Sequence, residues 1–307
     1  MLDALQMIRY QKGIMADLPA SAIYLFFQLE DKTHLKESLQ VLQKLIDGES
    51  AVLGLGEQIM QKSSQKMPYH PYMPKGNQKK LAPAWRCDLV LWLRNSDQGT
   101  LMHQARQIIK ALKDAFSCID ITRACTYEAS YKEDLMVSHD LSGFEDGTEN
   151  PKQDDRYNVA IIDDKKKYLH GGSCWAVQKW VHDFDWLDKA SLQAKEAAIG
   201  RSLSDNRELE NAPDSAHVKR TEQESFDPEA FMWRRSMPWI DDKLQGGLMF
   251  SCFARSFYPF EVQFNRMTGE DDGVVDGVFK FSKIKHTTFL WCPPFFKGKL
   301  DLSFLSL

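Results

Sequence analysis

A ten-residue segment of the chain places a single carboxylate between two glycines. It reads SGFEDGTENP from Ser142 to Pro151, and Asp146 lies between Gly143 and Gly147. Such a segment is a poor helix and a poor strand. Because glycine allows positive φ and a close approach to a flat ligand, this arrangement can direct the Asp146 side chain into a pocket. A surface turn of Gly, Asp and Asn is the alternative interpretation of these residues alone.

Two more side chains suited to chemistry follow downstream. His217 stands in the short segment 215–218, and Arg234 follows Trp233. With Asp146, the chain therefore offers an acid, an imidazole and a guanidinium in order. An imidazole can bind haem iron, a carboxyl group can move a proton, and a guanidinium can stabilise developing charge. This combination is what a haem peroxidase needs.

At these residues the chain resembles the dye-decolorizing peroxidases, and in particular their compact bacterial branch. Gly143 to Gly147 matches the GxxDG motif of that family, and residues 215–218 are similar to its axial-histidine segment. The segment 246–255 and the stretch around Asp276 are also similar in order and spacing, so the resemblance covers nearly the whole chain. Four ordered segments are much more specific than GxxDG alone.

The resemblance implies that His217 is the axial ligand of a haem iron. Neutral imidazole is a good iron ligand, and such a histidine usually donates its second N–H to a carboxylate. Asp276 stands where the family places that carboxylate, although it could also be a solvated loop aspartate like those at 271 and 272. His139, seven residues before Asp146, is the rival candidate for the ligand.

On the peroxide side, the resemblance implies that Asp146 shuttles the proton and that Arg234 supplies permanent positive charge. Arg235 is the competing arginine, and the similarity of the RxS-hydrophobic-Pro pattern favours Arg234. An unperturbed aspartate has a pKa of about 3.9, which makes it a better base under acidic conditions. The sequence therefore predicts an acidic optimum.

Three further residues complete the implied site. Gly147 belongs to the loop at the cofactor, and Ser236 would hold a distal water where some relatives have Asn. Arg201, after Ile199 and Gly200, would pair with a haem propionate, or it is a surface arginine at a helix end.

Composition restricts the classes of function. The net charge of −4 and a pI near 6.1 give no reason to expect nucleic-acid binding. No window approaches the roughly 20 apolar residues of a membrane span, and Met1 to Gln11 lacks the features of a leader, which predicts a cytoplasmic protein. The six cysteines form no CxxC or CxxCH, so we expect buried thiols and a non-covalent haem b.

Periodicity predicts an α+β fold in which one arrangement is used twice. We expect two ferredoxin-like halves with antiparallel sheets and peripheral helices, a domain over 1–155 that carries the GxxDG loop and a haem-binding domain over 156–307. The resemblance implies the same dimeric α+β barrel-like architecture, while periodicity alone leaves two unrelated α+β domains open. The predicted strands are 22–29, 87–93, 119–127, 174–181, 248–254 and 287–291, and the predicted helices are 35–46, 101–116, 185–199 and 260–267.

The function that the resemblance implies is reduction of hydrogen peroxide with one-electron oxidation of dyes, phenols or other bulky organic donors. One alternative is a haem-handling protein that transfers haem or releases its iron, and another is a ferredoxin-like binding module without haem. Strand edges of such halves could support a homo-oligomer. Residues 302–307 leave little room for a long polar tail, so enclosure in an encapsulin shell is not expected.

Overall fold

The first half of the chain forms four long strands and the helices that cover them. The computed structural model describes residues 9–133 and 135–307, so most of the segment expected to lack a leader, Met1 to Ile8, lies outside the described residues. The elements of this half are β1 (Ser21–Leu29), α1 (Leu35–Leu45), β2 (Ala51–Leu55), α2 (Glu57–Met60), α3 (Gln78–Leu81), β3 (Leu89–Asn95), α4 (Gln98–Leu112) and β4 (Phe116–Cys125), with 3-10 turns at Lys12–Ile14 and Lys32–His34.

A small three-stranded sheet carries the GxxDG loop between the halves. Its strands pair in the order β5, β6, β7, and a short helix follows them. These elements are β5 (Ser130–Lys132), β6 (Leu135–His139), β7 (Glu145–Asp146) and α5 (Asp155–Ala160).

The second half repeats the pattern with shorter helices. Its elements are β8 (Ser173–His182), α6 (Phe184–Lys189), α7 (Leu192–Ile199), α8 (His217–Arg220), β9 (Trp233–Arg234), β10 (Met237–Ile240), β11 (Gly246–Ala254), α9 (Tyr258–Met267), β12 (Ser282–Cys292), β13 (Phe295–Phe296) and β14 (Lys299–Leu300), with 3-10 turns at Gln223–Ser225 and Gly277–Lys280.

Eight strands of the two halves close into one antiparallel barrel. The order in the first half is β4, β1, β3, β2, and the order in the second is β12, β8, β11, β10. In each half, the strand that comes fourth along the chain therefore lies first in the sheet order, and the first, third and second strands follow it. The halves join where Leu55 of β2 pairs with Trp291 of β12 and where Ala124 of β4 pairs with Trp239 of β10. The predicted pair of ferredoxin-like halves is confirmed, and their sheets form a single barrel.

Alternation along the strands divides the core into two layers. Leu25 and Phe27 of β1 face the layer under the helices, whereas Tyr24 and Phe26 face the barrel interior. On the helical side, α4 buries Leu101, Ala105, Ile108 and Leu112, as its helical spacing predicts. Each fully buried leucine contributes about 1.5–3 kcal/mol. The barrel is thus packed on both faces of its sheet.

Most predicted elements lie within a few residues of the observed ones. The predicted helix 185–199 is two helices, because the chain is extended at Ala190 and Ser191, and the Ser191 hydroxyl caps α7. The predicted helix end at Phe116 is four residues late, since α4 ends at Leu112. All six cysteines are free thiols, and four are buried. The boundary at residue 155 stays a prediction.

Within the parts of the chain that the structure describes, no helix combines the length and the apolar character that crossing a bilayer requires.

Candidate active site

One cleft brings together the three side chains that the sequence singled out. Asp146, His217 and Arg234 line both its inner cavity of about 160 Å³ and its outer cavity of about 680 Å³. Ile199 and Thr221 also line both cavities. Residues that lie as far apart as 146 and 234 in sequence therefore face one continuous space.

His217 is held by a buried carboxylate. Its Nδ1 lies 2.8 Å from Oδ2 of Asp276, whose side chain is 0% exposed while that of His217 is 34% exposed. The other oxygen of Asp276 accepts the N–H of Val278 at 2.8 Å, which fixes the carboxylate. Because a carboxylate only accepts, Nδ1 carries a hydrogen, and in the neutral imidazole Nε2 keeps its lone pair. Among the described residues, Nε2 has no hydrogen-bond partner.

The electrostatics of this pair favour a basic imidazole. Burial acts to lower the pKa of His217, but the Asp276 carboxylate outweighs it, so the pKa is raised. A more electron-rich imidazole is a stronger ligand for oxidised iron.

Close packing of the backbone after Asp276 holds this residue beside His217. Gly277 follows the aspartate, and a Cβ at this position would lie 2.6 Å from the carbonyl oxygen of Ala198 at the end of α7. The N–H of Gly277 donates to the carbonyl of Ser215, two residues before His217. Only glycine lets the 277–280 turn approach α7 and the histidine segment so closely.

The GxxDG loop presents Asp146 as the sequence predicts. Gly143 and Gly147 both have φ of +91°, and Asp146 pairs with Ser138 in the small sheet. Burial raises the pKa of Asp146; the charge of Arg234 opposes this shift, and the charge of Asp140 adds to it. The carboxyl group thus titrates above the usual range of an aspartate.

Asn150 ties this loop to the strand that carries Arg234. Its Oδ1 accepts the N–H of Arg234 at 2.7 Å, and its Nδ2 donates to the Arg234 carbonyl at 3.0 Å. The guanidinium of Arg234 donates to the carbonyl of Glu149 at 2.8 Å. Asn150 is buried. No sequence motif predicts this role for Asn150, although it stands in the 142–151 segment that contains GxxDG.

Strand alternation separates Arg234 from its rival. Arg234 faces the cleft, so the next residue, Arg235, points to the other side of β9. There its guanidinium lies 4.9 Å from the ring centroid of Trp233 and donates to the carbonyl of Ala16. The other rival, His139, lies outside the lining of the cleft and contacts the carbonyl of Glu128 at 3.3 Å.

The remaining predicted residues either line the outer cavity or lie outside both cavities. Gly147 and Arg201 line the outer cavity. Arg201 donates to Glu149 Oε1 at 2.7 Å and to Glu208 Oε1 at 2.6 Å. Ser236 is buried and lines neither cavity, and its Oγ has no hydrogen-bond partner among the described residues.

Comparison with known proteins identifies the family. Residues 137–297, just over half of the chain, match the family described as Dyp-type peroxidase, C-terminal. The chain belongs to the Dyp-type peroxidases. The expected membership of the dye-decolorizing peroxidase family is therefore confirmed.

Individual relatives extend the similarity over nearly the whole chain. The dye-decolorizing peroxidase of Mycobacterium tuberculosis is 29% identical over 219 residues, which are 69% of this chain and 63% of that protein, slightly less than two thirds of its length. A Dyp-type peroxidase structure from Shewanella oneidensis is 28% identical with a TM-score of 0.79, covering 94% of this chain and 96% of that one. A variant of DypB from Rhodococcus jostii in complex with heme is 26% identical with a TM-score of 0.75, covering 91% and 94%.

One solved structure of the same fold is relevant to the prediction that no encapsulin shell encloses this protein. The encapsulated DyP-type peroxidase from Mycobacterium smegmatis is 22% identical with a TM-score of 0.78, and the match covers 91% of this chain and 94% of that one. The expectation that no shell encloses this Dyp-type peroxidase stays a prediction.

The cleft of this Dyp-type peroxidase fits a haem. A porphyrin is a flat apolar ring with two acidic propionates, and the inner cavity is mainly apolar. Its apolar lining includes Ile199, Met232, Leu248, Phe250, Phe260, Phe264, Met267, Val278 and Phe281. The outer cavity is lined by the cations Arg201, Lys219 and Arg234 as well as by seven carboxylates. The Nε2 atom of His217 is a suitable iron ligand.

Proposed function

We propose that this chain reduces hydrogen peroxide at a non-covalently bound haem b and takes single electrons from organic donors. The observation that carries the proposal is that Asp146 and Arg234 line the same cleft as the unbonded Nε2 of His217. A haem carrier has no evident need for an acid and a guanidinium in this place.

His217 would hold the iron through Nε2, with Asp276 fixing the ring through Nδ1. When bound, the haem supplies an iron centre and a conjugated ring that together accept two oxidising equivalents from peroxide. Arg201, which lines the outer cavity together with Gly147, would hold a haem propionate. A propionate would then compete with Glu149 and Glu208 for the Arg201 guanidinium.

The proton of peroxide would pass through Asp146. In its ionised form the carboxylate takes a proton from one peroxide oxygen and returns it to the other, which then leaves as water. Arg234 would orient the peroxide and stabilise the charge that develops as the O–O bond breaks. Ser236 is proposed to hold a water next to this arginine, since its buried Oγ needs a partner.

The donors are proposed to be dyes, phenols or similarly bulky molecules that give up electrons near the protein surface. A cytoplasmic location, self-association and the absence of an encapsulin shell also stay proposals. Co-purification with a shell protein would reverse the last of these.

The test is an absorption spectrum of the haem-loaded protein before and after peroxide, together with Arg234→Leu. The proposal expects a Soret band that changes rapidly with peroxide in the wild type. In Arg234→Leu we expect the same band and a peroxide rate constant about 10²–10³-fold lower, because one preorganised charge is lost.

The matched control is Arg207→Leu, because the Arg207 side chain is 85% exposed and pairs only with Asp205 among the described residues. Its rate constant should equal that of the wild type. A Soret band that does not respond to peroxide would instead favour haem transfer or iron release. A chain that takes up no haem would leave only the binding-module alternative.

A further inference from the structure

Two buried arginines lie in the barrel interior, on the side of β9 that faces away from the cleft. Arg94 is 7% exposed and Arg235 is 2% exposed. Burying a guanidinium is costly unless a carboxylate or a set of acceptors compensates for its lost hydration. These two arginines thus present a local charge imbalance that the proposed peroxidase reaction does not use.

Backbone carbonyls are their hydrogen-bond acceptors in the described structure. Arg94 donates to the carbonyl of Glu49 at 3.1 Å and also to the carbonyl of Asp17. Arg94 and Arg235 both donate to the carbonyl of Ala16, so the two guanidiniums converge on one oxygen. Among the described residues, neither arginine forms a salt bridge with a carboxylate.

The two charges act on each other. Burial, followed by the charge of Arg94, lowers the pKa of Arg235 to about 9. Burial also lowers the pKa of Arg94, to about 10. Both values lie above neutrality, so both guanidiniums remain charged. The carboxylates that oppose the shift of Arg94 are those of Glu49, Asp17 and Asp47, and none of them forms a salt bridge with Arg94 among the described residues. Asp17 is exposed, and its Oδ2 accepts the hydroxyl of Tyr131 at 2.6 Å.

Unpartnered polar atoms surround these charges. The Nε atoms of Arg94 and Arg235 are buried without a hydrogen-bond partner among the described residues, and the buried hydroxyls of Tyr24 and Ser251 have no partner there outside this group. Tyr24 and Ser251 are both 0% exposed. Tyr24 stacks on Trp92 with ring centroids 6.0 Å apart, and the Arg94 guanidinium lies 4.7 Å from the centroid of the same Trp92 ring. The N–H of Arg235 donates to the carbonyl of Ser251. Burial raises the pKa of Tyr24, and Ser251, Arg94 and Arg235 oppose this shift. Native structures rarely leave so many buried donors unsatisfied in one place.

We propose that this double-arginine cluster, formed by Arg94, Arg235, Tyr24 and Ser251, binds one small monovalent anion of the size of chloride. Two N–H donors, two hydroxyls and two positive charges suit a spherical monoanion that accepts hydrogen bonds from any direction. The cluster lies beneath the 12–17 segment and among the rings of Trp92 and Trp233, which favours an ion without bulky substituents.

The experiment measures thermal unfolding of the haem-loaded protein as chloride replaces gluconate at constant ionic strength. A bound anion stabilises only the folded state, so the melting temperature should rise with chloride. At a concentration 100 times the dissociation constant, the folding equilibrium constant should be about 100-fold higher. The Soret band is recorded in parallel, and a constant band shows that chloride does not act at the iron.

Arg235→Gln should remove the chloride dependence, and the control Arg123→Gln, an exposed arginine on β4, should retain it. An equal dependence in both variants would mean an adventitious ion only, and would overturn the proposal. If Arg235→Gln does not fold, anomalous scattering from wild-type crystals in bromide decides the question. A peak between Arg94 and Arg235 supports the site, and water alone at that position refutes it.

Discussion

Two histidines line the inner cavity, each paired with an aspartate, and the two pairs differ in the contacts of the second ring nitrogen. His217 lies 2.8 Å from Asp276, and His182 Nε2 lies 2.9 Å from Asp140. The Nδ1 of His182 also lies 2.7 Å from the Ser282 hydroxyl, so both of its nitrogens are engaged. The His182 side chain is 3% exposed, compared with 34% for His217.

This difference separates the proposed iron ligand, His217, from His182, which we assign to the framework of the site. An imidazole whose second nitrogen faces a cavity can bind a metal, whereas one that is bonded on both sides links three elements together. Asp140 joins His182 to the turn before the GxxDG loop by accepting the N–H and the hydroxyl of Ser142. Burial opposes ionisation of Asp140, but His182 and Ser142 outweigh it and lower its pKa. The second pair therefore positions the loop that carries Asp146.

The largest expected effect follows from replacing the free imidazole. His217→Ala should abolish the Soret band that forms on haem addition, because it removes the proposed iron ligand. His182→Gln should retain the band. A haem titration followed by absorption measures both, and a normal band in His217→Ala would remove the distinction between the two pairs.

The second-largest expected effect is on the rate constant with peroxide and its dependence on pH, which we attribute to Asp146. Its pKa is raised by burial, so the carboxylate loses its charge at a higher pH than an ordinary aspartate. The rate constant with peroxide should therefore fall as the pH is lowered through this raised pKa. Asp146→Asn should lower the rate by about 10²–10⁴-fold and remove this acidic limb. Stopped-flow rates at a series of pH values test this, and an unchanged limb in the variant would assign the titration to another group.

A smaller effect is expected from the carboxylates of the two pairs. Asp276→Asn weakens the acceptor of the His217 N–H, which should lower haem affinity by about 10–100-fold. Asp140→Asn, in the other pair, should leave haem affinity unchanged. Competition for haem with a protein of known affinity measures both variants. Equal losses would show that the pairs are not distinct in role.

The smallest effect on haem binding is expected from substitutions in the His182–Asp140 pair. These substitutions should instead lower the free energy of unfolding. His182→Gln replaces the imidazole that contacts the half-buried Asp140 carboxylate, at an expected cost of about 1.5–3 kcal/mol in the free energy of unfolding. Urea unfolding of the haem-loaded protein measures this cost. No loss of stability would contradict the assignment of His182 to the framework.

The sequence by itself indicated the chemistry and most of the elements. Asp146, His217 and Arg234 stand in short segments whose residue types carry the information locally. Helical spacing in α4 and the apolar run of β1 are local patterns as well, and both elements were predicted. The family resemblance followed from the same segments.

The tertiary structure decided how these parts meet. Strand β2 is buried on both faces, so it has no alternation that a sequence pattern could reveal. The short β10 closes the barrel only through its neighbours β4 and β11. Asn150 gains its role because folding brings it to a strand 84 residues away. Contacts between distant segments depend on chain closure, which local residue preferences do not specify.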